Sequence, residues 1–395
     1  MPEYLPKKYQ NPALANDEGY EDTEDILFEI EAELDSVYGQ AYSEMLEKAK
    51  KYLKWFLIID ELKKKLVDSG ELDRDEYKRW RQTAIFQGRE TYSMVDVLAT
   101  DLTNLNLIAA SVINGYMPEV YAVNVNWTEY VIERELKVST SFSLFDEATV
   151  ERLVREQPDL LPKAKVDIPK DLQWNKQHLN SAITQGILQG ETTDEIAQRL
   201  ADVSDMDRRA AVRNAATMTT SAQNGGRIDT YKRAQTMGIS VKKRWIATLD
   251  GLTRPTHRQC DGEVREVGQK FSNGLEFPAD PQGKPSEVYN CRCVLTAVVD
   301  GQQFNLSDRD TRELERWDMS YDEWKEAKGQ SKQPITKAHK NANRDMKMHE
   351  EYRSLLGKRV PSRFKDFQEL KYKRTDEWRK MVSDARKARN KKRGK

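Results

Sequence analysis

The sequence predicts an α+β protein that is predominantly α-helical. It has a long helical N-terminal region, a small α+β domain around a loop-rich β element, and a basic helical C-terminal tail. Three observations predict this. Apolar residues recur at helical spacing through most of the first 240 positions; only 241–248 and 291–299 carry the β-branched content of clear strands; and glycine and proline crowd between those two stretches.

Taken in order, residues 1–20 hold Pro2, Pro6 and Pro12 among polar residues and are expected to form a flexible arm. Over 22–66, Ile26, Ile30, Leu34, Met45, Leu53, Phe56 and Leu57 keep a helical period, predicting one or two long helices. Residues 73–116 continue with Trp80, Ile85, Tyr92, Val95 and Leu98, an apolar stripe that reads as core. Over 118–127, Val120, Ala122, Val125 and Trp127 alternate with polar residues, which predicts a short strand or extended crossing after Pro118. A helix over 144–161, stopped by Pro162, and a polar linker to about 170 close an N-terminal region spanning 21–170.

The second domain, 171–302, opens with a helix over 171–190. Thr192 and Glu195 then form a capping box that starts a helix carrying Ile196, Leu200 and Val203. A further helix over 206–237 stops at Gly238. Strands follow at 241–248 and 291–299, separated by a loop or loose hairpin rich in turn formers. The extension 303–395 reads as helical, with Ser307 and Ser320 as caps and Glu323 completing a box with the latter.

Composition narrows the class. A length of 395 residues suits two or three domains, and 33% charged against 38% hydrophobic residues is polar for a single globule. A mean hydropathy of −0.83 suits helical segments that finish burying their surface against a partner. The longest apolar runs, such as 105–113, fall short of the roughly 18–20 residues that cross a bilayer, so no membrane role is expected. Met1-Pro2-Glu3-Tyr4 has neither the basic nor the apolar region of a signal peptide. The expectation is a protein kept in a reducing cytoplasm, where three clustered cysteines favour metal over disulfide.

The net charge of zero hides a gradient. Residues 1–40 carry eleven acids against two bases, and residues 331–395 carry 22 bases against eight acids. Seven bases fall in the last ten positions: Arg386, Lys387, Arg389, Lys391, Lys392, Arg393 and Lys395. They are candidate contacts to a polyanion, with a solvated helical tail as the alternative.

The candidate chemistry lies between Trp245 and Cys293, which contains every cysteine of the chain and one of its four histidines. His257 and Cys260 are one helical turn apart, and Cys291 and Cys293 share a face if the chain there is a strand. Together they make a candidate Cys3His zinc site, closed and therefore structural; buried free thiols and a disulfide remain alternatives. Asp250 is placed to cap the following turn or pair with Arg254. Arg292 is placed to bind Asp250, Asp261 or a phosphate, and Asn290 to hydrogen-bond the backbone at the strand start. The alternative is a metal-dependent nuclease or hydrolase with His257 as base, although no second histidine is near in sequence.

The pattern Trp245…Asp250…Thr253-Arg254-Pro255-Thr256-His257…Asp261-Gly262, then Phe271 and Asn290-Cys291-Arg292-Cys293, resembles the Mu F-like domain of tailed-phage minor head (head morphogenesis) proteins. The approach helix with Asn214 to Asn224, Tyr231 and Gly238, and the capped start 190–196, resemble it too. The resemblance implies a virion protein in the capsid interior, present in the host cytoplasm during assembly. It implies a portal partner for the N-terminal region, with scaffolding or major capsid protein as further candidates. It also implies a role in head assembly and in DNA packaging or delivery, to which the basic tail would add non-specific double-stranded DNA contact. No enzymatic activity is expected from it.

Overall fold

The computed structural model describes residues 11–14, 16–86, 89–140, 142, 144–189, 191–304, 311–313, 319–328, 342–361, 363–373 and 375–393. They form two compact units interleaved along the chain: 1–32, 115–162 and 216–395 in the first, 33–114 and 163–215 in the second. Three long helices, α1 (Glu18–Asp68), α3 (Arg89–Leu136) and α6 (Thr193–Thr236), contribute to both.

The second unit is all helical: the middle and end of α1, α2 (Arg74–Phe86), the first half of α3, α5 (Ile168–Leu188) and the start of α6. Met45, Ala49, Leu53, Leu98, Leu102, Leu179, Ile183, Leu200 and Val203 form its apolar core. The capping box is present: the Thr192 backbone N–H donates to Glu195 at 2.7 Å, and the Glu195 backbone N–H to Thr192 Oγ1 at 3.3 Å. The helix it starts does not break near 206 but runs on as one 44-residue α6, because nothing between 203 and 207 is a glycine or proline.

A polar cluster crosses this core. The Asn106 amide donates to both carboxylate oxygens of Asp171, at 3.2 and 3.1 Å, and to Asp207 at 3.0 Å, while Tyr38 donates to Asn106 at 2.6 Å. Burial, opposed by the Asn106 hydrogen bond and aided by the Asp171 charge, lifts the Asp207 carboxyl to about 7.

In the first unit, the described part of the expected arm, residues 11–14 and 16–20, is packed rather than free; residues 1–10 lie outside the described residues. Pro12–Leu14 is a 3-10 turn, the Asn11 amide donates to the Ala247 carbonyl at 2.8 Å, and Leu14 and Tyr20 pack with Ile246 and Val294. The expected strand over 118–127 is instead the middle of α3, with Pro118 inside the helix. Proline there removes one hydrogen bond, that of the Asn114 carbonyl, at a cost of about 3 kcal/mol. Val120, Tyr121, Val125 and Trp127 are buried on the helix, and that burial outweighs the loss. The segment Met94–Leu136 is long and apolar enough to cross a bilayer by length and composition. Of its most apolar stretch 39% is buried within the fold, and the segment also carries fully buried Glu133. That carboxylate accepts from Thr140 N–H and Oγ1 (both 2.7 Å), Trp324 Nε1 (2.7 Å) and Lys328 Nζ (2.9 Å). These bonds seat α9 (Tyr321–Ala327), whose Ser320–Glu323 capping box forms as expected; Ser307 lies outside the described residues.

After β1 (Val138–Thr140), α4 (Glu147–Glu156) is capped by Asp146, which accepts from Thr149 N–H at 2.7 Å. A three-stranded antiparallel sheet then forms in the order β3-β2-β4, from β2 (Ile239–Ile246), β3 (Val264–Glu266) and β4 (Val294–Phe304). Trp245 lies opposite Leu295. Gly238, at φ 84°, turns the chain from α6 into β2. A second pairing joins β1 to β5 (Thr311–Glu313).

The C-terminal helices α10 (Ala342–Leu356), α11 (Phe364–Tyr372) and α12 (Asp376–Arg393) share a core of Tyr352, Phe367, Trp378, Met381, Val382 and Ala385 with Ala32 of α1. The two ends of the charge gradient therefore meet. Arg379 pairs with Asp25 at 2.8 Å, Arg386 with Glu31 at 3.5 Å, and buried Lys371 with Asp345 at 3.2 Å and Glu29 at 3.8 Å. Tyr372 and Trp378 serve packing here: Trp378 is buried and the Tyr372 hydroxyl donates to Asp345 at 2.7 Å.

The Asp207 shift fixes a pH dependence. Between about pH 4 and 7 the folded state keeps a proton that the unfolded chain has released, so stability falls as pH rises through that window, by on the order of 4 kcal/mol. Urea unfolding at pH 5 and pH 8 should show this loss for the wild type and a smaller one for Asp207→Asn. Equal slopes for the two proteins would exclude Asp207 as the source.

Candidate metal centre

The chain enters the centre from β2. Trp245, fully buried one residue before the end of the strand, lies edge-on to both His257 (ring centroids 5.2 Å apart) and Phe271 (5.1 Å). The next turn is built on Leu249, at φ 59°, and on Asp250. The Asp250 carboxylate accepts from Leu252 N–H at 2.9 Å, Thr253 Oγ1 at 3.0 Å and Arg292 Nη2 at 2.6 Å. Burial pushes this carboxyl up, but the hydrogen bonds and positive charge of Arg292, with those from Thr253 and Leu252, leave it below the ordinary value. Asp250 thus caps its turn and pairs with Arg292. Arg254 instead donates to the Tyr289 carbonyl.

Pro255 opens the short helix α7 (Pro255–Gln259), which carries His257. Gly262, at φ 76°, returns the chain to the sheet by donating to the Trp245 carbonyl at 2.8 Å. Asp261 locks this return by accepting from Ala247 N–H at 2.8 Å and Asn11 Nδ2 at 3.2 Å. The loop to 290 is more ordered than a loose excursion. It contains β3 and the one-turn α8 (Pro285–Val288), and it contributes Phe271, Leu275, Ala279 and Val288 to the core of the first unit.

Cys291 and Cys293 lie just before β4 rather than on it. A row of α6 side chains holds that segment. Thr217 Oγ1 accepts from Asn290 N–H at 3.0 Å, and Thr220 Oγ1 donates to the Cys291 carbonyl at 2.9 Å. Asn224 donates to the Cys293 carbonyl at 3.1 Å and accepts from Leu295 N–H at 2.8 Å, and Arg227 donates to the Leu295 carbonyl at 2.9 Å. Positions 217, 220, 224 and 227 share one helix face. Asn290, at φ 57°, supplies the bend that brings the segment onto that row.

Three of the four residues read as ligands come together. His257, Cys291 and Cys293 are all buried, and their ligand atoms lie within 4.8 Å of one another. His257 Nδ1 is 3.7 Å from Cys291 Sγ and 3.5 Å from Cys293 Sγ. Cys260 lies outside this group: its Sγ is 3.2 Å from Ser272 Oγ, which donates to Glu263 at 2.8 Å. Burial pushes the Cys291 thiol up, but hydrogen bonds from the Cys293 thiol and from the Cys293 and Ala279 backbone N–H groups outweigh it and bring it down. Cys293, donor to Cys291 and itself buried, is held well above the ordinary thiol value. The pair therefore holds one thiol proton more firmly than the other.

Glu287, absent from the sequence reading, faces the other side of the imidazole. Its Oε2 is 3.1 Å from His257 Nε2, off the line of a straight hydrogen bond, and accepts from Thr256 Oγ1 at 2.9 Å. Nothing in its local sequence marks it, because its partner lies 30 positions away. The α6 row was missed for a related reason: polar residues within a helix read as a solvated face.

Of the expected polyanion contacts, Lys387 and Lys391 are exposed on α12, whereas Arg386 is half-buried beside Glu31. Arg389, Lys392 and Arg393 belong to α12, but their side chains, like Lys395 as a whole, lie outside the described residues.

This closed α6–β2–α7–β4 arrangement coincides with a family match. Residues 177–296 match the family model described as Phage Mu protein F like protein, so the chain carries a Mu F-like domain. Over 317 residues it is 25% identical to the "Minor head protein GP7" of Bacillus phage SPP1, covering 77% of this chain and 94% of that protein. It is also 30% identical over 202 residues to the "NAD(+)--arginine ADP-ribosyltransferase EFV" of Enterococcus faecalis, covering 49% of this chain but only 40% of that protein. An uncharacterized protein, YqbB, of Bacillus subtilis is 30% identical over 144 residues, 35% of this chain and 47% of its own length. No solved structure matches the chain.

Arg227 gives the site a measurable anchor. It is 2% exposed and makes a two-pronged pair with Asp17, at 2.6 and 2.7 Å, besides its bonds to Asn124 and Leu295. Arg227→Met should cost about 3–5 kcal/mol in urea unfolding by leaving Asp17 buried and unpaired. Adding Asp17→Leu should recover much of that loss; a double variant as unstable as the single one would contradict the pairing.

Proposed function

We propose that this chain is a minor head protein of a tailed bacteriophage, bound to the portal inside the procapsid and virion and assisting head assembly and DNA packaging or delivery. The observation that carries the reading is an alignment spanning 94% of the SPP1 minor head protein, with the Mu F-like match lying over the closed His/Cys arrangement. The polar, helix-dominated chain fits an assembly partner, since such chains complete their burial against a larger surface. Zinc is the ion we assign to the His/Cys group, in a structural role that rests on the burial of all three donors.

Non-specific double-stranded DNA contact is part of the proposal, with a narrower footprint than the sequence suggested. Lys380, Lys387 and Lys391 fall on one exposed face of α12, whereas Arg379 and Arg386 are engaged with acids of α1. The nuclease or hydrolase reading is the weaker one. A general base must reach a substrate proton. His257 is 1% exposed, with one ring nitrogen toward the two thiols and the other toward Glu287. The transferase name of the Enterococcus faecalis protein applies to a chain of which this one matches less than half.

Co-expressed with the portal protein of the same phage, the chain should elute with the portal ring on gel filtration; separate elution at micromolar concentration would refute portal association. Its binding to random-sequence duplex DNA should weaken steeply with salt. Lys380→Glu/Lys387→Glu/Lys391→Glu should lose most of that binding, and salt-insensitive binding or an unaffected triple variant would remove DNA contact from the proposal.

A further inference from the structure

The identity of the ligand set follows from distances. With zinc–sulfur bonds of about 2.3 Å and zinc–nitrogen bonds of about 2.0–2.1 Å, a tetrahedral ion separates an imidazole nitrogen from a thiolate sulfur by about 3.6 Å. His257 Nδ1 stands 3.5 and 3.7 Å from the two sulfurs. Both nitrogen–sulfur edges already have the length such a tetrahedron needs, and all three atoms lie within 4.8 Å of one another. Their backbone is fixed independently of any ion: Thr220 and Asn224 hold the Cys291 and Cys293 carbonyls, and Pro255 starts the turn that carries His257. Two sulfurs and one imidazole, all buried, form a soft donor set that favours zinc-class ions over magnesium or calcium.

We infer that the centre is a Cys2His site for one zinc-class ion, ligated by His257 Nδ1, Cys291 Sγ and Cys293 Sγ. Glu287 is its positioning residue, and Cys260 takes no part. This rests on the metal reading proposed above and deepens it by replacing the expected Cys3His set. Glu287 acts through His257. A carboxylate beside Nε2 favours the tautomer that carries its proton there and leaves the Nδ1 lone pair for the ion. Thr256, donating to the same carboxylate oxygen, keeps Glu287 in place. Cys260 belongs to a separate cluster with Ser272 and Glu263. Three protein donors leave the fourth corner to a non-protein donor such as water.

The test is titration of Co²⁺ into chelator-treated full-length protein, followed by thiolate-to-cobalt charge-transfer absorption. The wild type should bind one ion per chain with an intensity matching two thiolates. Cys260→Ser should leave stoichiometry and intensity unchanged, while Cys293→Ser should lose about half of the band or all binding. Glu287→Ala should weaken binding about 10–100-fold, with Glu287→Gln recovering part of the loss. A band one-third weaker in Cys260→Ser would overturn the Cys2His assignment in favour of Cys3His. Wild-type affinity in Glu287→Ala would overturn the positioning role. A folded wild type that binds no Co²⁺ would remove the metal reading itself and leave the assembly proposal standing.

Discussion

The first unit depends on one constraint: the segment 290–295 must have its backbone groups satisfied on the side where no strand pairs with it. Helix α6 meets this need with side chains. Thr217, Thr220, Asn224 and Arg227 bond in turn to Asn290, Cys291, Cys293 and Leu295, so one face of the helix does the work of a neighbouring strand. Buried peptide groups left unpaired cost about 1–3 kcal/mol each, which makes such a row of polar side chains worth its desolvation. Arg227 extends the same row to Asp17 and Asn124, tying the N-terminal segment and α3 to the sheet. At Gly226 an added Cβ would come within 2.7 Å of the Tyr121 carbonyl, so glycine permits the close approach of α6 and α3 that these bonds require.

The cysteine–histidine group is a consequence of that constraint. The two cysteines sit where the α6 row fixes the carbonyls, and His257 meets them because β2 and the capped Asp250 turn deliver α7 to the same place. The Asp250–Arg292 pair then links the turn to the residue between the two cysteines. A long loop closed at both ends in this way can be ordered before any ion arrives. An ion at the three donors would add stability to a site already shaped.

Much of this was legible in sequence wherever a signal is local. The Thr192–Glu195 and Ser320–Glu323 boxes, the stop at Gly238 and the β2 strand all rest on spacings of a few residues. The grouping of His257 with Cys291 and Cys293, 34 and 36 positions on, was readable because every cysteine of the chain falls in that one stretch. What failed rests on distant partners. Pro118 reads as a helix breaker until the burial of Val120, Tyr121 and Val125 is known. Cys260 has the right spacing from His257, but Ser272 and Glu263 take it elsewhere. Glu287 and the α6 row carry no local mark, because their partners lie about 30 and 70 positions away. The charge gradient misled in a different way: acids at one end and bases at the other look like independent arms, yet α1 and α12 pair with each other.

Amide hydrogen exchange tests the central claim most directly. In the wild type, the Asn290 and Leu295 amides should be protected by Thr217 and Asn224 respectively. In Asn224→Leu the Leu295 amide should exchange much faster, while the Trp245 amide, bonded to the Glu263 carbonyl within the sheet, keeps its protection. Unchanged protection at Leu295 in that variant, with the Trp245 amide still slow, would show that α6 does not hold the segment and would contradict the account.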